Sequence, residues 1–215
     1  MPKFPHLAKV LIGFYLLPLL LAEDLTRNNA ESLTSNFQAR EVTIPPIVST
    51  HPRILLTPTD VSEIKSVISK RAEPRYSSWL NLKSRADRLI HEPLAPPYTG
   101  KDSLMFYNLA KGAGNRTSQL ALAFLLDGNT AYAAKGKMIL LAWAWASPLP
   151  ASSFASEIRF VSSGMDTARG MIGFIYAYDG LYHTLLPAER TVVETWFQAM
   201  LPSIHHDIDR WSSSF

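Results

Sequence analysis

Apolar residues recur at helical spacing along most of the chain that follows its polar N-terminal part. In the first such segment, Val61, Ile64 and Ile68 lie three or four positions apart behind Thr57, a residue type that favours helix N-caps. A second segment, at about 75–91, repeats the pattern. Its apolar stripe consists of Trp79, Leu82, Ala86, Leu89 and Ile90. The spacing therefore predicts two successive amphipathic helices, each with one buried face.

Further apolar helices are predicted after this pair. They span about 118–127, 130–146, 164–185 and 188–206. The turn Asp127-Gly128-Asn129 joins the first two, and a loop at 147–162 precedes the others. No segment shows the strict alternation of apolar and polar residues that marks a half-buried strand. The chain is therefore predicted to be all-α, built from successive helical hairpins. The segment at 91–115, rich in proline and glycine, is predicted as a long surface loop with a short helix near 103–111.

The first 22 residues follow a different pattern. Lys3 and Lys9 precede an apolar run at 10–22, which acidic residues follow. This order predicts a signal peptide at 1–22, with an uncleaved membrane anchor as the alternative. Residues 23–50 are polar and contain proline, which predicts a linker before a folded domain at 51–215. The protein is expected to be secreted, or periplasmic in a bacterium, and to have no stable membrane association after cleavage.

Composition excludes several classes of function. Removing the signal peptide takes away Lys3 and Lys9 and leaves a nearly neutral chain, so nothing indicates a nucleic-acid partner. The sequence contains no cysteine, which excludes disulfides and thiolate metal sites. It also lacks a Gly-x-Ser-x-Gly elbow, a phosphate-binding glycine loop and a His-Glu-x-x-His motif. Serine hydrolase, nucleotide enzyme and zincin functions are therefore unsupported.

Three segments resemble signatures of the alginate lyase-like enzymes. The opening of that family is similar to "HPRILLTPTDVSEIKSVI", its second signature to "ALAFLLDGNTAYAAKGKMILLAWA", and its third to "GFIYAYDGLYHTLLPAERTVVETWF". The three segments keep the family's order over about 51–205. The resemblance implies an (α/α) toroid of helical hairpins. The toroid is expected to be incomplete at the C-terminus, because the chain stops soon after the third segment.

The resemblance also implies a function, the β-elimination of a uronic-acid polysaccharide of the alginate or glucuronan class. Such an enzyme neutralises the uronate carboxylate, removes the C5 proton with a Tyr or His base, and protonates the leaving oxygen. No cofactor is needed, and the partner is the anionic polysaccharide. The family's catalytic Asn-His pair is not found, so the catalytic residues stay unassigned. A carbohydrate-binding remnant without activity and a helical-repeat interaction protein are the alternatives.

Two tryptophans are candidate sugar platforms. Trp143 and Trp145 lie two positions apart near the end of a helix, so they point about 200° apart and cannot share a face. One is expected to pack between helices and the other to face the substrate cleft, where an aromatic ring stacks on a sugar ring. The alternative is that both tryptophans belong to the core.

A polar stripe on the predicted helix at 164–185 supplies further candidates. Arg169, Tyr176, Asp179 and His183 fall within about 80° of one another around the helix axis. Because unpaired charges are costly in a dry core, the stripe is expected to line a wet cleft or to find polar partners. Arg169 and Tyr176 are the predicted uronate contacts. Asp179 fits equally well as a buried hydrogen-bonding anchor between helices.

The remaining candidates are weaker. Tyr98 and Lys101, in the predicted loop, are candidate lid residues that close over the sugar chain, the alternative being a plain surface loop. Asn108 and Gln119 are polar residues predicted to point into the toroid. A metal site at His205-His206-Asp207 is not predicted, because adjacent helical residues diverge by about 100° and cannot easily share one ion.

Overall fold

Six α-helices and no strand make up the part of the chain that the structure, a computed structural model, describes, residues 49–100, 102–146 and 163–212. In chain order the helices are α1 (Pro58–Ser69), α2 (Arg75–Leu89), α3 (Ser103–Asp127), α4 (Thr130–Ala146), α5 (Ser163–Leu181) and α6 (Pro187–Ser212). A short 3-10 turn, Tyr182–Thr184, joins α5 to α6. The all-α prediction is confirmed for these residues. The signal peptide predicted at 1–22, nearly all of the linker and the loop at 147–162 lie outside them.

The first two helices form as their sequence pattern predicts. At the start of α1, the Thr57 hydroxyl accepts the Asp60 N–H at 3.2 Å, and the Asp60 carboxylate accepts the Thr57 N–H at 2.7 Å. This reciprocal pair satisfies two backbone donors that a helix start leaves free. In α2, Trp79, Ala86 and Leu89 are buried, and the other two residues of the predicted stripe pack partly buried against the same core.

The loop predicted at 91–115 is corrected over its second half, where the short helix predicted near 103–111 is the start of a much longer one. Helix α3 begins at Ser103, behind the N-cap residue Asp102, and runs on as a helix of 25 residues. Gly114 lies inside this helix, at the point where α5 crosses it closely. A Cβ atom there would lie 3.1 Å from the backbone nitrogen of Phe174. Glycine at this position permits tight packing between helices. The local sequence does not distinguish that use from a loop.

Helices α3 and α4 form an antiparallel hairpin. Gly128 ends α3 with a left-handed φ of 77°, which glycine adopts at no steric cost. Gly136, in the first half of α4, approaches Leu120 near the end of α3. Trp143, in the last turns of α4, packs on Phe106 in the first turn of α3, with ring centroids 6.2 Å apart. The second helix therefore returns along the first.

Helices α3 and α5 run parallel and lie in close contact. At one end, the Ser103 hydroxyl donates to the Asp166 carboxylate at 3.3 Å, and at the other, Gly180 packs against Ala121. Midway between them, a Cβ atom on Gly173 would lie only 2.4 Å from the carbonyl carbon of Gly114. The two backbones touch at this crossing, which is possible only because both helices carry glycine there.

Helix α6 returns antiparallel to α5. Tyr178, late in α5, donates to the Glu194 carboxylate at 2.5 Å, whereas Gly164, at the start of α5, donates its N–H to Asp207 at 2.6 Å. Lys137 of α4 forms an ion pair with Glu189 at 2.7 Å, so α4 and α6 lie side by side. The parallel pair α3 and α5 is thus backed by α4 and α6, which run the other way.

The core lies between these pairs of helices and is rich in aromatic rings. Phe174 of α5 is central: its ring centroid lies 5.2 Å from that of Trp143 and 5.1 Å from that of Trp196. Both tryptophans are nearly inaccessible to solvent. All of the described residues belong to one unit, at 47–215. None of their helices combines the length and the apolar character that crossing a bilayer requires.

Candidate functional site

The predicted polar stripe of α5 lies along one side of the helix, but its members have separate partners. Arg169 contacts α3, Tyr176 lines a groove, and Asp179 binds the segment that precedes α1. His183 lies beyond the end of α5, in the 3-10 turn. We call the side of α3 and α5 that carries these groups the α3–α5 face. It consists of three parts, described in turn below.

The first part is a clasp between His51 and Asp179. The Asp179 carboxylate is 3% exposed and accepts three hydrogen bonds. The donors are His51 Nδ1 at 2.5 Å, the Arg53 N–H at 2.8 Å and the Ile54 N–H at 2.9 Å. Asp179 is therefore an anchor, as one of the two predictions held, but it holds the N-terminal segment 51–54 and not a neighbouring helix.

The electrostatics of the clasp favour an ionised Asp179. Burial on its own raises the pKa of a carboxyl group, because it disfavours the charged form. In Asp179 the hydrogen bonds from His51 and from the N–H groups of Ile54 and Arg53 outweigh burial and lower its pKa below the usual value of 3.8. A buried carboxylate with three donors is stable as an anion and binds its donors firmly.

Aromatic packing fixes the position of His51. Its ring stacks on Tyr182, with centroids 3.7 Å apart and planes 14° apart. The guanidinium of Arg190 lies 4.0 Å from the centroid of the same ring. Two groups this close cannot share one face, so Tyr182 is held between a histidine and a cation. The His183 side chain also binds His51: its Nε2 donates a hydrogen bond to the His51 carbonyl oxygen at 3.2 Å.

The second part is a groove of about 120 Å³ that lies between the segment 52–56, α3 and α5. Its lining includes Leu55, Leu56, Leu122, Gln119, Tyr176 and Asp179. Mostly apolar walls with a few polar side chains are typical of sites for small ligands or parts of larger ones. The clasp supplies one wall of this groove, because Asp179 holds the backbone of the residues that form it.

The third part is a pair of cations around Tyr107 of α3. The Arg169 side chain donates to the Tyr107 hydroxyl at 2.9 Å, and its guanidinium carbon lies 4.5 Å from the ring centroid. Lys111 Nζ, one turn further along α3, lies 5.4 Å from the same centroid. Both distances are within the range of cation–π contacts. We call these three residues the Tyr107 cluster.

The structure separates the two predicted tryptophan platforms. Trp143 is 1% exposed and lies in the core between Phe106 and Phe174, so stacking of this ring on a sugar is ruled out by its burial. Trp145 is 61% exposed in the last turn of α4 and does not line the groove. The two rings point to different environments, as their spacing predicts.

The other predicted candidates also have definite places. Tyr98 packs against the core, and its hydroxyl accepts the Asp102 N–H at 3.0 Å, so it braces the start of α3. A lid role for Tyr98 is not supported by this packing. Lys101 lies outside the described residues. Asn108 is exposed on α3, whereas Gln119 lines the groove beside Tyr176.

The C-terminal histidines do not form a metal centre. Asp207 is 5% exposed and accepts a hydrogen bond from the Gly164 N–H. This hydrogen bond caps the start of α5. His206 Nδ1 lies 3.6 Å from the same carboxylate. Within the residues that the structure describes, no group of three or more histidine, cysteine, aspartate or glutamate side chains is arranged to hold a metal ion.

Three residues of the site were not among the predicted candidates. His51 stands first in "HPRILL", but its partner lies 128 positions away, and no local pattern connects them. Tyr107 and Lys111 lie in the short helix predicted near 103–111, whose phase is not joined there to that of the next predicted helix. Extending the helical phase back from residue 118 would have placed both on one side of a helix, four positions apart.

Comparison with known proteins adds no family to this description. No protein-family model matches the chain, and no curated protein matches it. The resemblance of its three segments to the alginate lyase-like enzymes therefore stays a prediction.

Proposed function

We propose that this chain is a secreted polysaccharide lyase of the alginate lyase type, acting on a uronic-acid polysaccharide. One observation carries the proposal: the three segments that resemble the family's signatures contact one another at one place. His51 and Arg53 of the first segment bind Asp179 of the third. The second segment packs beside them, where Ala121 meets Gly180. The resemblance thus concerns residues that act as one structural unit.

The helix arrangement supports the toroid part of the proposal. In an (α/α) toroid, inner helices run parallel to one another and each is followed by an outer helix that returns. Helices α3 and α5 are parallel, and α4 and α6 each return along the preceding helix. One such hairpin is the repeating unit of this fold, and the chain has two in succession. We propose the α3–α5 face as the side that faces the substrate cleft.

The α3–α5 face offers the electrostatics that the first step of β-elimination requires. The C5 proton of a uronate becomes acidic when a positive group neutralises the adjacent carboxylate. We assign this role to Arg169, which is exposed on the face. Tyr176 lines the groove and lies seven residues further along α5, about 10 Å from Arg169 by helical rise. We assign it to contact the neighbouring part of the sugar chain. The base and the acid are not assigned.

A direct assay tests this proposal. The purified chain is incubated with alginate, glucuronan and chondroitin, and the ultraviolet absorbance of the unsaturated uronate product is followed. We expect product from at least one polymer. Arg169→Ala is expected to lower kcat/KM by about 100-fold, because removing one group that stabilises developing negative charge typically costs this much. Arg85→Ala, which removes an exposed arginine of α2, is the matched control and is expected to act like the wild type.

The outcomes of the assay separate the alternatives. A folded chain that releases no product from any of the three polymers contradicts the lyase proposal. If that chain is still retained by an immobilised uronan, and Arg169→Ala abolishes retention, the carbohydrate-binding remnant is the correct description. If it is not retained either, the helical-repeat interaction protein is favoured.

A further inference from the structure

The Tyr107 cluster has more positive charge than a single carboxylate contact requires. Arg169 and Lys111 both lie within 5.4 Å of one tyrosine ring centroid. Both are exposed on the surface, whereas Tyr107 is 9% exposed. Two cations that contact one tyrosine side chain repel each other, and a bound anion lowers that repulsion. The cluster is therefore electrostatically suited to an oxyanion.

No carboxylate of the described residues neutralises the cluster through an ion pair. Other acids form ion pairs with other cations, as Glu92 does with Arg116 and Glu189 with Lys137. The nearest acid along α5 is Asp166, which is 6% exposed and accepts the Ser103 hydroxyl in the interior. It attracts Arg169 at longer range without forming a bridge to it.

The Tyr107 hydroxyl provides a directed donor beside the Arg169 guanidinium. Its oxygen accepts an N–H of Arg169 at 2.9 Å, which leaves its own proton available for donation. Among the described residues, no acceptor takes this proton. A ligand oxygen that accepts this proton lies beside the Arg169 guanidinium, and Lys111 adds a second positive charge at the same tyrosine side chain. This combination suits a group with at least two anionic oxygens.

We propose that Tyr107, Lys111 and Arg169 form an oxyanion-binding subsite that holds a carboxylate or sulfate ester of an anionic glycan chain. Lys111 is then a specificity-determining residue, because its charge selects for chains with an anionic substituent at this subsite. The inference rests on the proposed function only in taking the ligand to be a glycan. It goes beyond that function by assigning Tyr107 and Lys111 to substrate selection.

Equilibrium binding to defined polymers tests the subsite. Calorimetric titrations use an alginate oligosaccharide, dextran sulfate, neutral dextran and inorganic sulfate. We expect a charged chain to bind and neutral dextran not to bind. Lys111→Gln is expected to weaken that binding by about fivefold or more, and Tyr107→Phe to weaken it less, since it removes only a neutral donor. Lys65→Gln, at an exposed position of α1, is the control of equal charge change and is expected to bind like the wild type.

Each outcome of the titrations decides a point. Tighter binding of dextran sulfate identifies a sulfate ester subsite, and binding of the alginate oligosaccharide alone identifies a carboxylate subsite. Unchanged affinity in Lys111→Gln, or equal binding of neutral dextran, overturns the inference. Inorganic sulfate that binds as tightly as either chain also overturns it, because the glycan then contributes nothing. Circular dichroism checks that each variant is folded.

The inference and the proposed function fail in different experiments. Binding that depends on Lys111, without release of unsaturated product, overturns the lyase proposal and leaves the subsite standing. Product release with wild-type kcat/KM and affinity in Lys111→Gln overturns the subsite and leaves the lyase proposal standing.

Discussion

Replacing Gly173 with alanine is expected to destabilise the fold by about 3 kcal/mol, the upper end of the usual cost of overpacking. The new Cβ atom would lie 2.4 Å from the Gly114 carbonyl carbon and 2.8 Å from the Asn115 nitrogen. These are backbone atoms of α3, which cannot rotate away as a side chain does. The helices must separate instead, and the aromatic core on the other side of α5 loosens with them. Urea unfolding followed by circular dichroism measures the loss.

Gly112→Ala is the matched control for this prediction. It lies in the same helix α3, but a Cβ atom there meets nothing within 4 Å. Alanine is the better helix former by about 1 kcal/mol, so this variant is expected to equal or exceed the wild type in stability. If Gly173→Ala unfolded at the wild-type urea concentration, the close crossing of α3 and α5 would be wrong.

Replacing Asp179 with alanine is expected to cost a comparable amount, about 3 kcal/mol. The change removes one acceptor and leaves three donors behind it: His51 Nδ1 and the N–H groups of Arg53 and Ile54. Partly buried donors that lose their acceptor forfeit the hydrogen bond and regain only part of the hydration they had in the unfolded chain. Thermal unfolding measures the loss. Asp60→Ala, which removes a partly exposed capping carboxylate at the start of α1, is the control and is expected to cost less than Asp179→Ala.

The clasp also predicts how stability depends on pH. Because the pKa of folded Asp179 is lowered from 3.8, the folded state binds the proton less readily than the unfolded state does. The stabilisation is fully present above the unfolded pKa and is lost as the pH falls through the folded one. Wild type and Asp179→Asn should therefore differ most near neutral pH and converge in acid. A difference that stayed constant with pH would contradict an ionised clasp.

The clasp further links stability to the groove. Residues 52–56 form one wall, and Asp179 holds the start of that segment. Release of the segment is expected to open the groove even in molecules whose helices remain folded. Asp179→Asn should therefore weaken binding of an anionic sugar chain by displacing this wall of the groove, which a calorimetric titration measures.

The sequence predicts the parts of this fold that depend on local signals. Thr57 starts α1, Gly128 ends α3, and the spacing of Trp143 and Trp145 puts them in different environments. The sequence predicts the start of α3 near 103 but not its continuity through 112–117, because Gly114 serves a contact with α5 and nothing near it in the sequence shows that contact. A helix-breaking residue is thus tolerated where tertiary packing requires it.

The candidate site divides in the same way. The helical phase of α5 places Arg169 and Tyr176 on one side, and the structure keeps them there. The partners of that side come from elsewhere: His51 from the segment before α1, and Lys111 from a helix that the sequence predicts only in part. Contacts between distant segments depend on how helices pack, and that packing is set by the whole core. Sequence periodicity alone therefore identifies half of each contact.

The central claim is that the α3–α5 face binds an anionic sugar chain, and hydrogen exchange tests it most directly. The chain is labelled with deuterium in the presence and absence of a saturating alginate oligosaccharide, and exchange is followed by mass spectrometry. We expect slower exchange in peptides that cover residues 52–56 and 118–125, with no change in peptides from 75–89 of α2. Protection confined to α2, or none while the oligosaccharide is bound, would contradict the account.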